Sequence, residues 1–271
     1  MFDSHIHTKN SPDSTQTLAE ICESAIAKGL RGIAICDHVD VCFAAELDTY
    51  SAMQACINEV NAARLRYGDH LTILQGMEMA EEGYDLALAA RIRALCNYDV
   101  ILGSVHTVYT EGVTDSYSRV DFWEGAMPLS LIKRFFSAYL DALMEMVTRG
   151  GIDVLCHLTC PLRYINGKYG RGLNVEEFAP QIDAILRAVI AQEIALEVNT
   201  SGCVAGGELL PGVSILARYY ELGGRRITLG SDAHIPNAVG RAFAETKRTL
   251  KGIGFTHYCY FEKRVPHFIE L

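Results

Sequence analysis

Short apolar runs rich in β-branched residues alternate along this chain with longer stretches whose apolar positions recur at helical spacing. The runs are the opening MFDSHIH, then GIAIC (32–36), LTILQG (71–76), DVILGSV (99–105), IDVLC (152–156), IALEV (194–198) and RITLG (226–230), with HYCYF (257–261) as a further candidate. Each reads as a buried parallel strand, apolar on both faces. Between them the spacing predicts helices over 17–29, 51–67, 84–97, 129–149, 175–192, 213–223 and 238–250. In the first of these, Leu18, Ile21, Cys22, Ala25 and Ile26 form one buried face and Gly29 follows as a stop.

Strands alternating with helices imply a parallel sheet with helical crossovers. Seven or more such units in one unbroken chain favour a closed barrel, with an open sheet as the alternative. No linker, repeat or low-complexity segment interrupts the 271 residues, so residues 1–271 are expected to form a single α/β domain. Two segments break the rhythm, 106–128 and the Gly-, Arg- and Tyr-rich 157–174. Both follow a strand, the place where barrel enzymes carry their active-site loops.

Composition narrows the function classes. A net charge of −9 argues against nucleic-acid tracts as partners, since those need clustered Lys and Arg. It leaves room for a small phosphorylated substrate. No stretch is long and apolar enough for a membrane span, and no secretory signal is visible. The nine cysteines form no regular framework, and several sit inside apolar runs, as in a reducing compartment. A cytoplasmic enzyme is the expectation; the oligomeric state is open.

The metal-type side chains concentrate where strands end. His5 and His7 alternate on one strand, Asp37 and His38 follow GIAIC, Glu78 follows LTILQGM, and His106 follows ILGSV. His157 follows VLC, Asn199 follows ALEV, and Asp232 and His234 follow ITLGS. In a barrel these positions converge on the C-terminal rim. A single histidine beside an apolar strand is more often structural. Six of the nine histidines at one rim form a metal-type constellation instead. His70, His257 and His267 lie outside the pattern and read as structural or exposed.

DSHIHT (3–8), CDH (36–38), GME (76–78), GSVH (103–106), CH (156–157) and SDAH (231–234) resemble, in order, the motifs of the polymerase-and-histidinol-phosphatase (PHP) superfamily. GSVHTV (103–108), PLRY (161–164) and EVNTSG (197–202) are most similar to its monofunctional histidinol-phosphate phosphatases. The resemblance implies a distorted (βα)7 TIM-like barrel and two or three divalent metal ions. It implies that His5, His7, Glu78 and Asp232 hold one ion, and that Glu78 bridges to a second with His106 and His157. His38 and His234 then hold a third together with a loop residue, which here is Asp13 where many relatives have histidine. Asp13 is a competent hard ligand and also a plausible turn residue after Pro12. Mixed imidazole and carboxylate ligands suit zinc, manganese or iron.

Closely spaced metals fit hydrolysis of a phosphomonoester, because they lower the pKa of a bridging water and polarise the phosphoryl oxygens. Asp232, His234 and His38 are the candidates for proton transfer, and Asp37 for orienting a ligand. Arg163 is the first candidate for a phosphate clamp, with Arg171 and Arg119 as weaker ones. Arg264 resembles a terminal arginine of the family. Asn199 either orients a substrate or ligand or caps the next turn, and Tyr164 and Tyr169 either line the pocket or pack. The expected substrate is histidinol phosphate. A nucleotide, phosphotyrosine or other small phosphoester is the alternative, because Cys203, Val204 and Ala205 stand where a basic residue often follows NTSG. A noncatalytic metal-stabilised module is the least favoured reading.

Overall fold

The computed structural model describes residues 1–110, 113–204 and 207–271. The chain runs through β1 (Phe2–Ile6), α1 (Leu18–Ala27), β2 (Gly32–Ile35), β3 (His38–Asp40), α2 (Ala44–Leu47), α3 (Thr49–Tyr67), β4 (Thr72–Ala80) and α4 (Leu86–Arg93). It continues through β5 (Val100–Ser104), β6 (Thr107–Thr110), β7 (Val113–Ser116), α5 (Leu129–Arg149), β8 (Val154–Leu155), α6 (Ala179–Ala191) and β9 (Ala195–Asn199). The last elements are α7 (Val213–Glu221), β10 (Ile227–Gly230), α8 (Phe243–Ile253), β11 (His257–Glu262) and β12 (Val265–Glu270).

Seven strands pair in parallel in the order β1-β2-β4-β5-β8-β9-β10, and short β3 extends beyond β2 to pair with β4. The two ends nearly close on each other just past β10. There His7 N donates to Ala233 O at 3.0 Å and Asp232 N to His5 O at 2.9 Å. The result is the distorted seven-stranded barrel that the resemblance implies, with the crossover helices that the alternation predicts.

The helices form where their apolar stripes can be buried. α5 turns Ile132, Phe135, Phe136, Tyr139, Leu140, Leu143, Met146 and Val147 inward, a spacing that keeps all eight on one face. Each such side chain contributes roughly 1.5–3 kcal/mol when fully buried. α1 starts at a capping box, in which Thr17 accepts from Glu20 N and Glu20 returns a bond to Thr17 N. Gly29 stops it at φ +68°, as its position predicts. Among the described residues no helix is long and apolar enough to cross a membrane.

Four expectations are corrected. HYCYF is not a further parallel strand: β11 folds back on β12 as an antiparallel hairpin. The predicted helix 84–97 shortens to α4, because Asp85 caps it by accepting from Leu88 N. The predicted helix 238–250 moves to α8, since Pro236 and the positive φ of Gly240 break the preceding segment. Segment 106–128 is not wholly irregular, because β6 and β7 pair within it. Strand β4 runs on past Gly76 to Ala80, which places Glu78 inside the strand, deep in the barrel mouth.

Candidate metal centre

Glu78 is the centre of the site. It is fully buried, and its two carboxylate oxygens face opposite groups of imidazoles. Oε1 lies 2.8 Å from His157 Nε2 and 3.2 Å from His106 Nε2. Oε2 lies 2.8 Å from His38 Nδ1, 3.5 Å from His5 Nε2 and 3.6 Å from His7 Nε2. Asp232 Oδ1 adds a second anion, 3.2 Å from His7 Nε2 and 3.6 Å from His234 Nδ1. Asp13 spans the outer pair, 3.4 Å from His38 Nε2 and 3.3 Å from His234 Nε2. All nine metal-type residues singled out from the sequence thus lie around one point at the strand ends.

Strand geometry explains the convergence. The pairing of β1 with β2 shifts register between Asp3 and Ile6, a bulge that re-aims the side chains next to it. His157 and Asp232, each just past a strand, hold positive φ values of 21° and 51°. Non-glycine residues there cost about 1–3 kcal/mol and persist where surroundings over-determine them. Here His157 N donates to Glu197 Oε2 at 2.8 Å, and Asp232 N donates to His5 O.

The far nitrogens of the rings are anchored by groups that the sequence reading did not single out. His5 Nδ1 is 2.7 Å from Glu197 Oε1, and His106 Nδ1 is 2.7 Å from Asp40 Oδ1. Asp37 acts through Ser11. Ser11 Oγ donates to Asp37 Oδ1 at 2.7 Å, leaving its lone pairs for His38 N at 3.1 Å and His7 Nδ1 at 3.2 Å. His7 therefore carries its proton on Nδ1. A signal for Glu197 did exist, since it is the one charge inside the otherwise apolar IALEV. Asp40 stands two residues after His38 and so on the same side of β3.

These protonation states test whether the residues suit metal ions. His5 and His7 are both tied down through Nδ1, so their Nε2 lone pairs meet 3.0 Å apart. Without a metal that contact is a hydrogen bond needing a proton on one Nε2, and a divalent ion can take the proton's place. Glu78 Oε2, ringed by three nitrogens, makes no hydrogen bond among the described residues, and neither does His234 Nε2. Several groups of three ligand atoms lie within 4.8 Å of one another, among them His5–His7–Asp232 and Glu78–His106–His157. The donor set fits divalent metals.

The electrostatics agree. Burial alone would raise Glu78, but His106, His5 and His38 outweigh it and hold the carboxyl well below its ordinary range. Burial alone would lower His5, His38 and His106, yet Glu197 and Glu78 at the first, and Glu78 at the other two, hold them well above the usual imidazole value. His7 goes the other way, pushed down to about 3 by burial and by its cationic neighbours His38 and His234.

The site opens into a cleft of about 240 Å³, lined among others by Asp13, His38, Asp232, Arg119, Arg163 and Tyr164. Arg163 Nη1 lies 3.8 Å from Asp232 Oδ2 and donates to Ser201 Oγ, while Nη2 donates to Tyr164 Oη. Three further candidates lie away from this cleft. Arg264 sits in the β11–β12 turn, bound to Asp153 at 2.6 Å, and Asp153 enters β8 at the opposite end from His157. Asn199 is fully buried, donates to Glu197 Oε2 and accepts from Ser201 N, so it orients Glu197 and caps the turn rather than meeting a substrate. Arg171 donates to the carbonyls of Phe122 and Met127, fixing a loop. His70, His257 and His267 are exposed and distant, as expected. Ala205 lies outside the described residues.

Known proteins resemble this chain over nearly its whole length. The histidinol-phosphatase of Lactococcus lactis is 26% identical over 264 residues, covering 96% of this chain and 94% of that one. A Clostridium acetobutylicum protein described as "Probable histidinol-phosphatase" is 26% identical over 267 residues, 98% of each chain. The crystal structure of the Lactococcus lactis histidinol phosphate phosphatase, complexed with zinc, L-histidinol and phosphate, superposes with a TM-score of 0.74 at 24% identity over 98% of both chains. The family model of the PHP domain matches residues 3–201, a span holding seven of the nine converging side chains, and on that match the chain belongs to the PHP domain family.

Proposed function

We propose that this protein is a metal-dependent phosphomonoesterase that hydrolyses L-histidinol phosphate to L-histidinol and phosphate. The observation that carries the reading is the cluster of six histidines around Glu78 and Asp232, opening directly onto a cleft that holds Arg163. Its full-length relatives named histidinol-phosphatase supply the substrate.

His5, His7, Glu78 and Asp232 would hold one ion, Glu78, His106 and His157 a second, and His38, His234 and Asp13 a third. Zinc, manganese and iron all suit these donors, and zinc is the ion named in the Lactococcus complex. Bound there, such ions supply an activated water at neutral pH and neutralise developing phosphoryl charge. The chain's own groups do the rest. Arg163, held by Ser201 and stacked at 5.1 Å on Tyr164, presents a guanidinium to the phosphate. Asp232, His234 and His38 line the same cleft, and one of them would hand a proton to the leaving alcohol. Asp37, Asp40 and Glu197 hold ligand rings in the tautomer that leaves the inward nitrogen free. Residues 1–271 act as one catalytic domain, in the cytoplasm, on a small phosphorylated substrate.

The metal-loaded protein should turn over histidinol phosphate with kcat/KM well above that for nucleotides or phosphotyrosine. A preference for either of those would move the substrate assignment, and no turnover of any phosphoester with zinc, manganese or iron would end it. Arg163→Ala should mainly raise KM. Losing charge-assisted hydrogen bonds worth about 1.5–3 kcal/mol corresponds to on the order of 10- to 100-fold. An unchanged KM would assign the phosphate to another cation, with Arg119 next in the same cleft.

A further inference from the structure

Glu197 sits behind the site and lines no part of the cleft, yet it touches two of the ligand-bearing strand ends at once. We infer that Glu197 is a positioning residue that ties two metal positions together, fixing His5 through its ring and His157 through its backbone. The inference rests on the metal-centre reading above.

Every contact of this carboxylate is one in which it accepts. Oε1 lies 2.7 Å from His5 Nδ1. Oε2 takes His157 N at 2.8 Å and Asn199 Nδ2 at 3.0 Å. The first contact keeps the His5 proton on Nδ1 and its Nε2 lone pair directed at Glu78 and Asp232. The second holds the residue at φ +21° whose Nε2 reaches Glu78 Oε1 at 2.8 Å. Asn199 cannot reverse its amide to relieve a change here, because its Oδ1 already accepts from Ser201 N.

The neighbouring strand is built around this group. β10 pairs with β9 in parallel, and its last residue, Gly230, pairs with Asn199, two residues past Glu197 on the same face. A Cβ on Gly230 would stand 2.1 Å from Glu197 Oε1 and 2.8 Å from His5 Cβ. The absent side chain is the space through which Glu197 reaches the ring.

A glutamine at this position has one oxygen where two are needed. With its NH2 toward His5, the imidazole must move its proton to Nε2, which blocks the inward lone pair. With its NH2 toward His157, two donors face a third. Either arrangement disturbs one position directly, and Glu78, which faces both His5 and His157, passes the change to the other. Asp40, by contrast, supports His106 alone.

The test compares wild type, Glu197→Gln and Asp40→Asn, all loaded with zinc and dialysed against a graded chelator, with bound zinc counted by elemental analysis. Loss of an orienting partner of a metal ligand costs roughly 10- to 100-fold in affinity. Glu197→Gln should lose that much at two zinc positions together, and Asp40→Asn at one. Wild-type retention by a folded Glu197→Gln protein, or loss of a single ion, overturns the inference. If Glu197→Gln does not fold, the wild type decides: in the zinc-loaded, histidine-¹⁵N-labelled protein His5 must appear as the Nδ1–H tautomer, and the Nε2–H tautomer would refute the proposal. Wild type that binds no zinc at all would instead refute the metal-centre reading.

Discussion

Glu78→Gln should remove the metal ions and reduce turnover by about 10³-fold or more, while the barrel still folds. Glutamine keeps the volume of a side chain that is fully buried, so packing around β4 is preserved. What changes is the pattern of acceptors. Glu78 divides five imidazole nitrogens between its two oxygens, the nearest on each side at 2.8 Å. An amide places an NH2 group against one of those sides, where nitrogens must present lone pairs. Metal ions in such a site contribute several kcal/mol of transition-state stabilisation, and each 1.36 kcal/mol is tenfold in rate, which gives the figure of about 10³. Elemental analysis and steady-state kinetics on a variant with wild-type circular dichroism check it. Full metal content with kcat within tenfold of wild type would mean that Glu78 does not bridge.

The reason Glu78 could be found in the sequence also says what could not be found. Parallel strands covered on both faces read as continuous apolar runs, so a histidine or carboxylate at the end of such a run stands out against its background. That contrast exposed His106, His157, Asp232 and His234, and barrel topology brought them together. Asp13 stood out for another reason, as a substitution in a resembling motif, and the structure sets it between His38 and His234. The anchoring groups gave no comparable contrast. Ser11 matters only because Asp37 takes its proton, a relation between a loop and a strand end that no local pattern encodes. Arg264 shows the opposite failure. Its place near the C-terminus said nothing about which end of the barrel the last hairpin covers, and it covers the end where Asp153 and Asp99 enter their strands. The extent of the strands was also hidden: β4 runs past its apolar segment to Ala80 and carries Glu78, a buried carboxylate whose partners are imidazoles from other strand ends.

Chelation of the ions should lower the thermal unfolding midpoint by on the order of 10 °C, with the gap widening as pH rises. A single ion held at about 1,000 times its dissociation constant stabilises the folded state by about 4 kcal/mol, so one tightly held ion already accounts for the shift. A chain of this size shifts by roughly 2–4 °C per kcal/mol. The pH dependence follows from the groups left behind. Stripped of metal, the cluster balances Glu78, Asp232, Asp13, Asp40 and Glu197 with protons on histidines. His5, His38 and His106 have folded-state values held well above the 6.5 of a free imidazole, against the pull of burial, by Glu197 and Glu78. A group raised in this way contributes its full stability below its unfolded value and loses it as pH climbs through the folded one. The chelated protein should therefore weaken progressively above about pH 6.5. The loaded protein should not, because protons compete less for its ligands as pH rises. Scanning calorimetry of both forms between pH 6 and 9 reads the difference directly. Superimposable midpoints across that range would show that the six histidines and their carboxylates are an ion-pair network in their own right, and the phosphoesterase assignment would lose the observation on which it stands.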